Sequence, residues 1–181
     1  MVPFTKQAAD FITLSRAVLV PLFVWFGFAF GVDALPAVIW LMIYNWTADS
    51  VDGPLSRRSE VEISSWIGDH DLIIDMLIST SLGVYLVASG LLSWQVSAVY
   101  FVIWILYFVL AGLNHSMGVL YQAPIYAWFI YVAFREVPQV SLWMIAWVFA
   151  ALIVTWPKLP KVIIPKFFGG LKQLLTRNDV P

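Results

Sequence analysis

The stretch that decides the fold is Leu92–Leu113, LSWQVSAVYFVIWILYFVLAGL, a run without one Asp, Glu, Lys or Arg. A bilayer core about 30 Å thick takes about 20 apolar residues as helix, so this run reads as a transmembrane helix. Five further segments qualify: Phe11–Val32, Leu35–Val51, Trp66–Ser89, Gly118–Phe134 and Gln139–Trp156. The breaks fall at Asp33–Pro36, at a polar loop Ser56–Ser65, at Gly90–Ser93, at Asn114–Ser116 and at Arg135–Pro138. Leu35–Val51 is among the shortest, and a polar end inside a protein-lined cavity would give it length. The expectation is an all-α, polytopic membrane protein with six transmembrane helices.

Composition points the same way. Of the 181 residues 61% are hydrophobic and 12% charged, and the mean hydropathy is +0.86. A soluble domain carries about 25% charged residues, so lipid must act as the solvent here. There is no cysteine, which excludes disulfides and thiolate metal sites. The 10 Trp and 7 Tyr suit membrane interfaces, although core packing explains many of them equally well. A cleaved leader is not expected, because Arg16 interrupts the first apolar run.

Charge sets the orientation. With six spans both termini share a side, and that side collects Lys6, Arg16, Arg57, Arg58, Lys158, Lys161, Lys166, Lys172 and Arg177. Of the 10 basic residues, Arg135 alone falls opposite. The positive-inside rule therefore places both termini and the Ser56–Ser65 loop in the cytoplasm. Residues 1–157 read as the membrane domain and 158–181 as a basic tail. Between Lys158 and Arg177 lysines alternate with apolar runs too short to span, as in an interfacial amphipathic segment on an anionic leaflet.

Asp49, Asp52, Asp69, Asp71 and Asp75 crowd a chain with only 11 acidic residues. Asp49 and Asp52 stand three apart at the cytoplasmic end of the second span. Asp71 and Asp75 stand four apart near the start of the third. Each pair shares a helical face, and a short loop lets the two faces meet below the membrane surface. An ionised aspartate in a membrane helix costs roughly 2.5–3.5 kcal/mol on insertion scales, and clustered carboxylates repel one another. Mg²⁺, Mn²⁺ or Ca²⁺ would offset both, and a two-metal site clamps attacking and leaving oxygens in phosphoryl chemistry. For Asp10, Asp33, Glu60 and Glu62 a wet helix end suffices. Asp69 suits either a helix cap or an outer-shell carboxylate.

In order, the segment is Asp49-Ser50-Val51-Asp52-Gly53-Pro54-Leu55-Ser56-Arg57, ten residues, then Gly68-Asp69-His70-Asp71-Leu72-Ile73-Ile74-Asp75. It resembles the signature of the CDP-alcohol phosphatidyltransferases, DxxDGxxAR followed by GxxxDxxxD. Ser56 stands for the alanine, and Gly68 lies one place after the expected position, Ile67. The run Thr13-Leu14-Ser15-Arg16 with Pro21 looks like the first helix of the bacterial phosphatidylglycerophosphate synthase branch. The resemblance implies that Asp49, Asp52, Asp71 and Asp75 hold two divalent ions, Mg²⁺ or Mn²⁺, on the donor diphosphate. It implies that Asp75 is also the general base, that Gly53, Ser56 and Gly68 fit the cytidine nucleotide, and that Arg57 pairs with donor phosphate. Asp69, His70 and Arg16 are candidates for the acceptor side or an outer shell. The implied partners are CDP-diacylglycerol, an alcohol acceptor, membrane lipids and a second copy of the chain, in a bacterial inner membrane. No nucleic-acid partner is expected.

Three function classes follow. The first is a phosphatidyltransferase that releases CMP. The second is a diverged homologue serving as a lipid-binding or structural subunit of a membrane complex. It is motivated by the shifted glycine and by Met76, where glycerophosphate and inositol-phosphate branches commonly carry a basic residue. The third, an aspartate-lined cation pathway, is weaker, because the acidic residues cluster at one face rather than crossing the midplane.

Overall fold

The computed structural model describes residues 4–57, 71–156 and 165, with side chains over 11–50, 72–154, 156 and 165. Seven α-helices and one 3₁₀ turn occupy them, and no strand occurs among the described residues. The helices are α1 (Phe4–Ala17), α2 (Leu19–Ala29), α3 (Leu35–Arg57), α4 (Asp71–Ala88), α5 (Trp94–Ala111), α6 (His115–Glu136) and α7 (Pro138–Thr155). The 3₁₀ turn, Gly31–Ala34, joins α2 to α3. The all-α expectation holds. Residues 66–70 of the expected third span lie outside the described residues, as does the Lys158–Arg177 tail apart from Pro165.

Two boundaries differ from the hydropathy reading. The expected first span is a helix interrupted at Val18. Pro21 has no N–H to offer the carbonyl of Ala17, and the Leu22 N–H reaches Val18 only at 3.4 Å. The second helix, expected to end at Val51, continues to Arg57. Its 23 residues make a rod of about 35 Å, not a short span. Hydropathy marks where apolar side chains stop. The backbone ladder does not stop there, so the turns bearing Asp49 and Asp52 belong to one continuous helix.

Side-chain pairings give the helix directions. Arg16 meets Asp75, and Gly27 lies against Tyr85 and Ala88, so α1–α2 and α4 run the same way. Gly118 faces Leu72, while Thr80 and Tyr121 share a hydrogen bond, so α6 runs with α4. Trp40 packs on Trp143, and the Trp147 Nε1–H donates to Thr47 Oγ1 at 2.8 Å, so α3 and α7 run together. Tight turns reverse the chain between helices. At the end of α4, Gly90 takes φ +72°, a conformation costly for any residue with a Cβ, and the Leu91 N–H returns to Leu86 O at 2.9 Å.

The core is layered between α2, α3, α4 and α6. Phe23, Leu35, Val38, Ile39, Met42, Ile78, Leu82, Leu86 and Phe129 are fully buried there. At Gly27 the α2 and α4 backbones approach so closely that a Cβ would lie 3.0 Å from Tyr85 Cα and from Ala88 Cβ. Small residues allow such contact between helices that have no hydrophobic force to press them together in lipid.

The outside is apolar as well. Val109, Leu110, Ile153 and Val154 are each at least three-quarters exposed, a surface that water does not tolerate as a continuous patch. Phe11–Ala29, Trp94–Ala111 and His115–Glu136 are long and apolar enough to cross a membrane, and Leu72–Ala88 and Pro138–Val154 are shorter apolar helices.

Candidate functional site

The described part of the site is built around Arg16, near the end of α1. Its side chain is 1% exposed, and it reaches two other helices. Nε donates to Asn45 Oδ1 on α3 at 3.1 Å. Nη2 lies 3.1 Å from Asp49 Oδ1, one turn further along α3. The same Nη2 pairs with Asp75 Oδ1 on α4. Two carboxylates 26 positions apart in sequence therefore converge on one nitrogen. Helix register explains how: Asn45 and Asp49 are four apart on one face of α3, and the α1 contact along that face brings Arg16 to both.

The electrostatics are those of a half-open pocket. Asp49 is 48% exposed and Asp75 24%, so the carboxylates face outward while the guanidinium is sealed behind them. A lone guanidinium there would be severely desolvated, and the two carboxylates offset that penalty. Around the pair lie further polar groups. Ser15 Oγ and Tyr44 Oη share a hydrogen bond, and Ser15 also donates to Ile12 O at 2.6 Å. On α6 the Tyr126 hydroxyl donates to Gln122 Oε1 at 3.2 Å. The Tyr126 ring also meets Trp46 of α3 edge-on at 6.0 Å, which brings a fourth helix to the site.

The expected site residues divide cleanly. Asp49, Asp75 and Arg16 come together. Asp52, Gly53, Ser56 and Arg57 lie in the last turns of α3, and Asp71 opens α4, with side chains outside the described residues. Gly68, Asp69 and His70 lie outside the described residues altogether. Among the described residues no group of three or more carboxylates or histidines comes together.

As to fit, the carboxylate oxygens of Asp49 and Asp75 are hard donors that already gather around positive charge, which is the donor chemistry of a divalent ion such as Mg²⁺ or Mn²⁺. Asp52 and Asp71 stand one helical turn away in the same two helices. The Asn114–Ser116 segment has a structural role: the Asn114 side chain caps α6 by accepting from the Ser116 N–H at 2.9 Å.

Asn45, Gln122 and Tyr126 are not among the residues that the signature puts at the site. The available signal was their polarity at helical spacing inside apolar segments: Asn45 four before Asp49, and Gln122 four before Tyr126. Polar groups at such positions point to function or to bundle assembly.

A pocket of about 350 Å³ opens beside the site, between α4, α5 and α6. Met76, the neighbour of Asp75, lines it with Leu77, Thr80, Trp104, Phe108 and Tyr121. The chain matches no protein-family model, no curated protein and no solved structure.

Proposed function

We propose that this chain is a CDP-alcohol phosphatidyltransferase-type enzyme. It transfers a phosphatidyl group from CDP-diacylglycerol to an alcohol and releases CMP. The observation that carries the reading is the convergence of Asp49 and Asp75, one carboxylate from each half of the quoted motif, at one end of the bundle. In this reading the chain crosses a bacterial inner membrane six times, with both termini in the cytoplasm. The α-helices in alternating directions and the basic-residue asymmetry support that topology.

Asp49, Asp52, Asp71 and Asp75 would hold two divalent ions. Bound there, the ions neutralise charge on the donor diphosphate. The chain's own groups do the rest. Arg57 pairs with phosphate as a fork-shaped donor. Gly53, Ser56 and Gly68 leave room for the cytidine nucleotide. Asp75 accepts the proton of the acceptor hydroxyl. That oxygen forms a bond to the phosphorus bearing diacylglycerol, the bond from this phosphorus to the bridging oxygen breaks, and CMP leaves. Behind the two carboxylates lies Arg16, itself anchored on Asn45. CMP release in detergent that requires Mg²⁺ or Mn²⁺ and is lost in Asp75→Asn tests the reading.

One observation favours a second reading. The Arg16 guanidinium already neutralises part of the carboxylate charge, as it would in a lipid-binding or structural subunit of a membrane complex without turnover. Folded protein that releases no CMP with any acceptor and binds no metal would select that reading.

A further inference from the structure

Among the described residues Arg16 is the fully buried charged side chain. Its guanidinium rests on the same Oδ1 atoms of Asp49 and Asp75 that are read above as metal ligands. A hard divalent ion needs those oxygens at coordination distance, and so does the guanidinium. Two positive centres cannot both hold them at full strength. The Nε bond to Asn45 at 3.1 Å gives the guanidinium a neutral anchor that does not involve either carboxylate.

We propose that Arg16 is a resident cation that competes with the divalent ion for Asp49 and Asp75. This rests on reading those carboxylates as metal ligands. In the metal-free protein the guanidinium keeps the two carboxylates from repelling each other and holds α1, α3 and α4 together. When a divalent ion arrives, the oxygens turn to it and Arg16 falls back on Asn45. The competition sets the metal concentration at which the site loads, so that the bundle stays assembled while empty. Arg16 is thus a positioning residue whose charge weakens metal binding and stabilises the unloaded fold.

The test uses the full chain in detergent micelles, with Mn²⁺ alone as the probe. Free Mn²⁺ is read by electron paramagnetic resonance, and thermal midpoints are read in EDTA and in saturating Mn²⁺. Removing one unit charge in contact with the ligands should tighten Mn²⁺ binding by about tenfold or more in Arg16→Gln. The same variant should melt below wild type in EDTA and recover most of the difference in Mn²⁺. Arg16→Lys covers the case in which Arg16→Gln does not fold. Its ammonium keeps the charge but cannot fork across Asn45 and both carboxylates, so it should tighten binding by about threefold. Wild-type binding lost in Asp75→Asn but unchanged or weakened in the Arg16 variants overturns the proposal and leaves the metal site standing. No Mn²⁺ binding in wild type or in any variant overturns both.

Discussion

Replacing Gly27 by alanine sets two known effects against each other at one position. Alanine in place of a helical glycine gains about 1 kcal/mol of helix propensity. Against that, the added Cβ would sit 3.0 Å from Tyr85 Cα, 3.0 Å from Ala88 Cβ and 3.3 Å from Tyr85 O. Two of those three atoms are backbone and cannot rotate away. The α2 and α4 axes would have to part by a few tenths of an ångström, which loosens the core that Phe23, Leu82 and Leu86 share. Overpacking of this kind costs about 1–3 kcal/mol. Because the obstruction is backbone, the upper half of that range applies, and the net loss should be about 1–2 kcal/mol. Gly118→Ala is the control. There the Cβ meets Leu72 Cδ1 at 2.6 Å, a tighter contact on paper, yet with the tip of a side chain that can change rotamer. It should cost less than about 0.5 kcal/mol after the propensity gain. Equilibrium unfolding in mixed detergent micelles measures both. A Gly27→Ala protein as stable as wild type, or a Gly118→Ala protein less stable than Gly27→Ala, would refute this reasoning about close helix approach.

Two further outcomes are expected. The Trp147–Thr47 hydrogen bond between α7 and α3 should show a coupling of about 0.6 kcal/mol in a Trp147→Phe, Thr47→Val double-mutant cycle; a coupling indistinguishable from zero would remove it as a link between those helices. Because the chain has no cysteine, single cysteines map its topology directly. In inside-out vesicles an impermeant maleimide should label Ser64→Cys and spare Ser93→Cys, with the pattern reversed in right-side-out vesicles; both labelled from one side would reject the six-span arrangement.

The helices were legible because apolar length and turn residues are written locally. Asp33–Pro36, Gly90–Ser93 and Arg135–Pro138 all mark real reversals. The interruption at Val18 was less legible, since Pro21 lies inside a run whose hydropathy never falters. The extent of α3 was hidden for the opposite reason: polarity at Asp49 and Asp52 ends an apolar run without ending a helix. At the site, spacing along each helix brought Asp49 and Asp75 forward as candidates, but pairing across helices is not a local property. Arg16 stood out in sequence as a charge in an apolar run, and only the packing of α1 against both α3 and α4 brings it to Asn45, Asp49 and Asp75. Asn45 and Tyr126 belong to no part of the phosphatidyltransferase signature. Their contribution depends on which face of each helix turns inward, and that is decided by large fully buried neighbours such as Met42 and Phe129.

The most direct test of the central claim is to follow CMP and lipid product together. The purified chain is incubated with CDP-diacylglycerol, Mg²⁺ or Mn²⁺, and a panel containing glycerol 3-phosphate, serine and inositol phosphate. Released CMP is counted by chromatography and the new phosphodiester lipid by mass spectrometry. One acceptor should yield CMP and lipid in equal amounts, EDTA should stop both, and Asp75→Asn should lower the rate by at least about a hundredfold. Folded protein that forms neither product with any acceptor, or an Asp75→Asn variant as active as wild type, would contradict that claim.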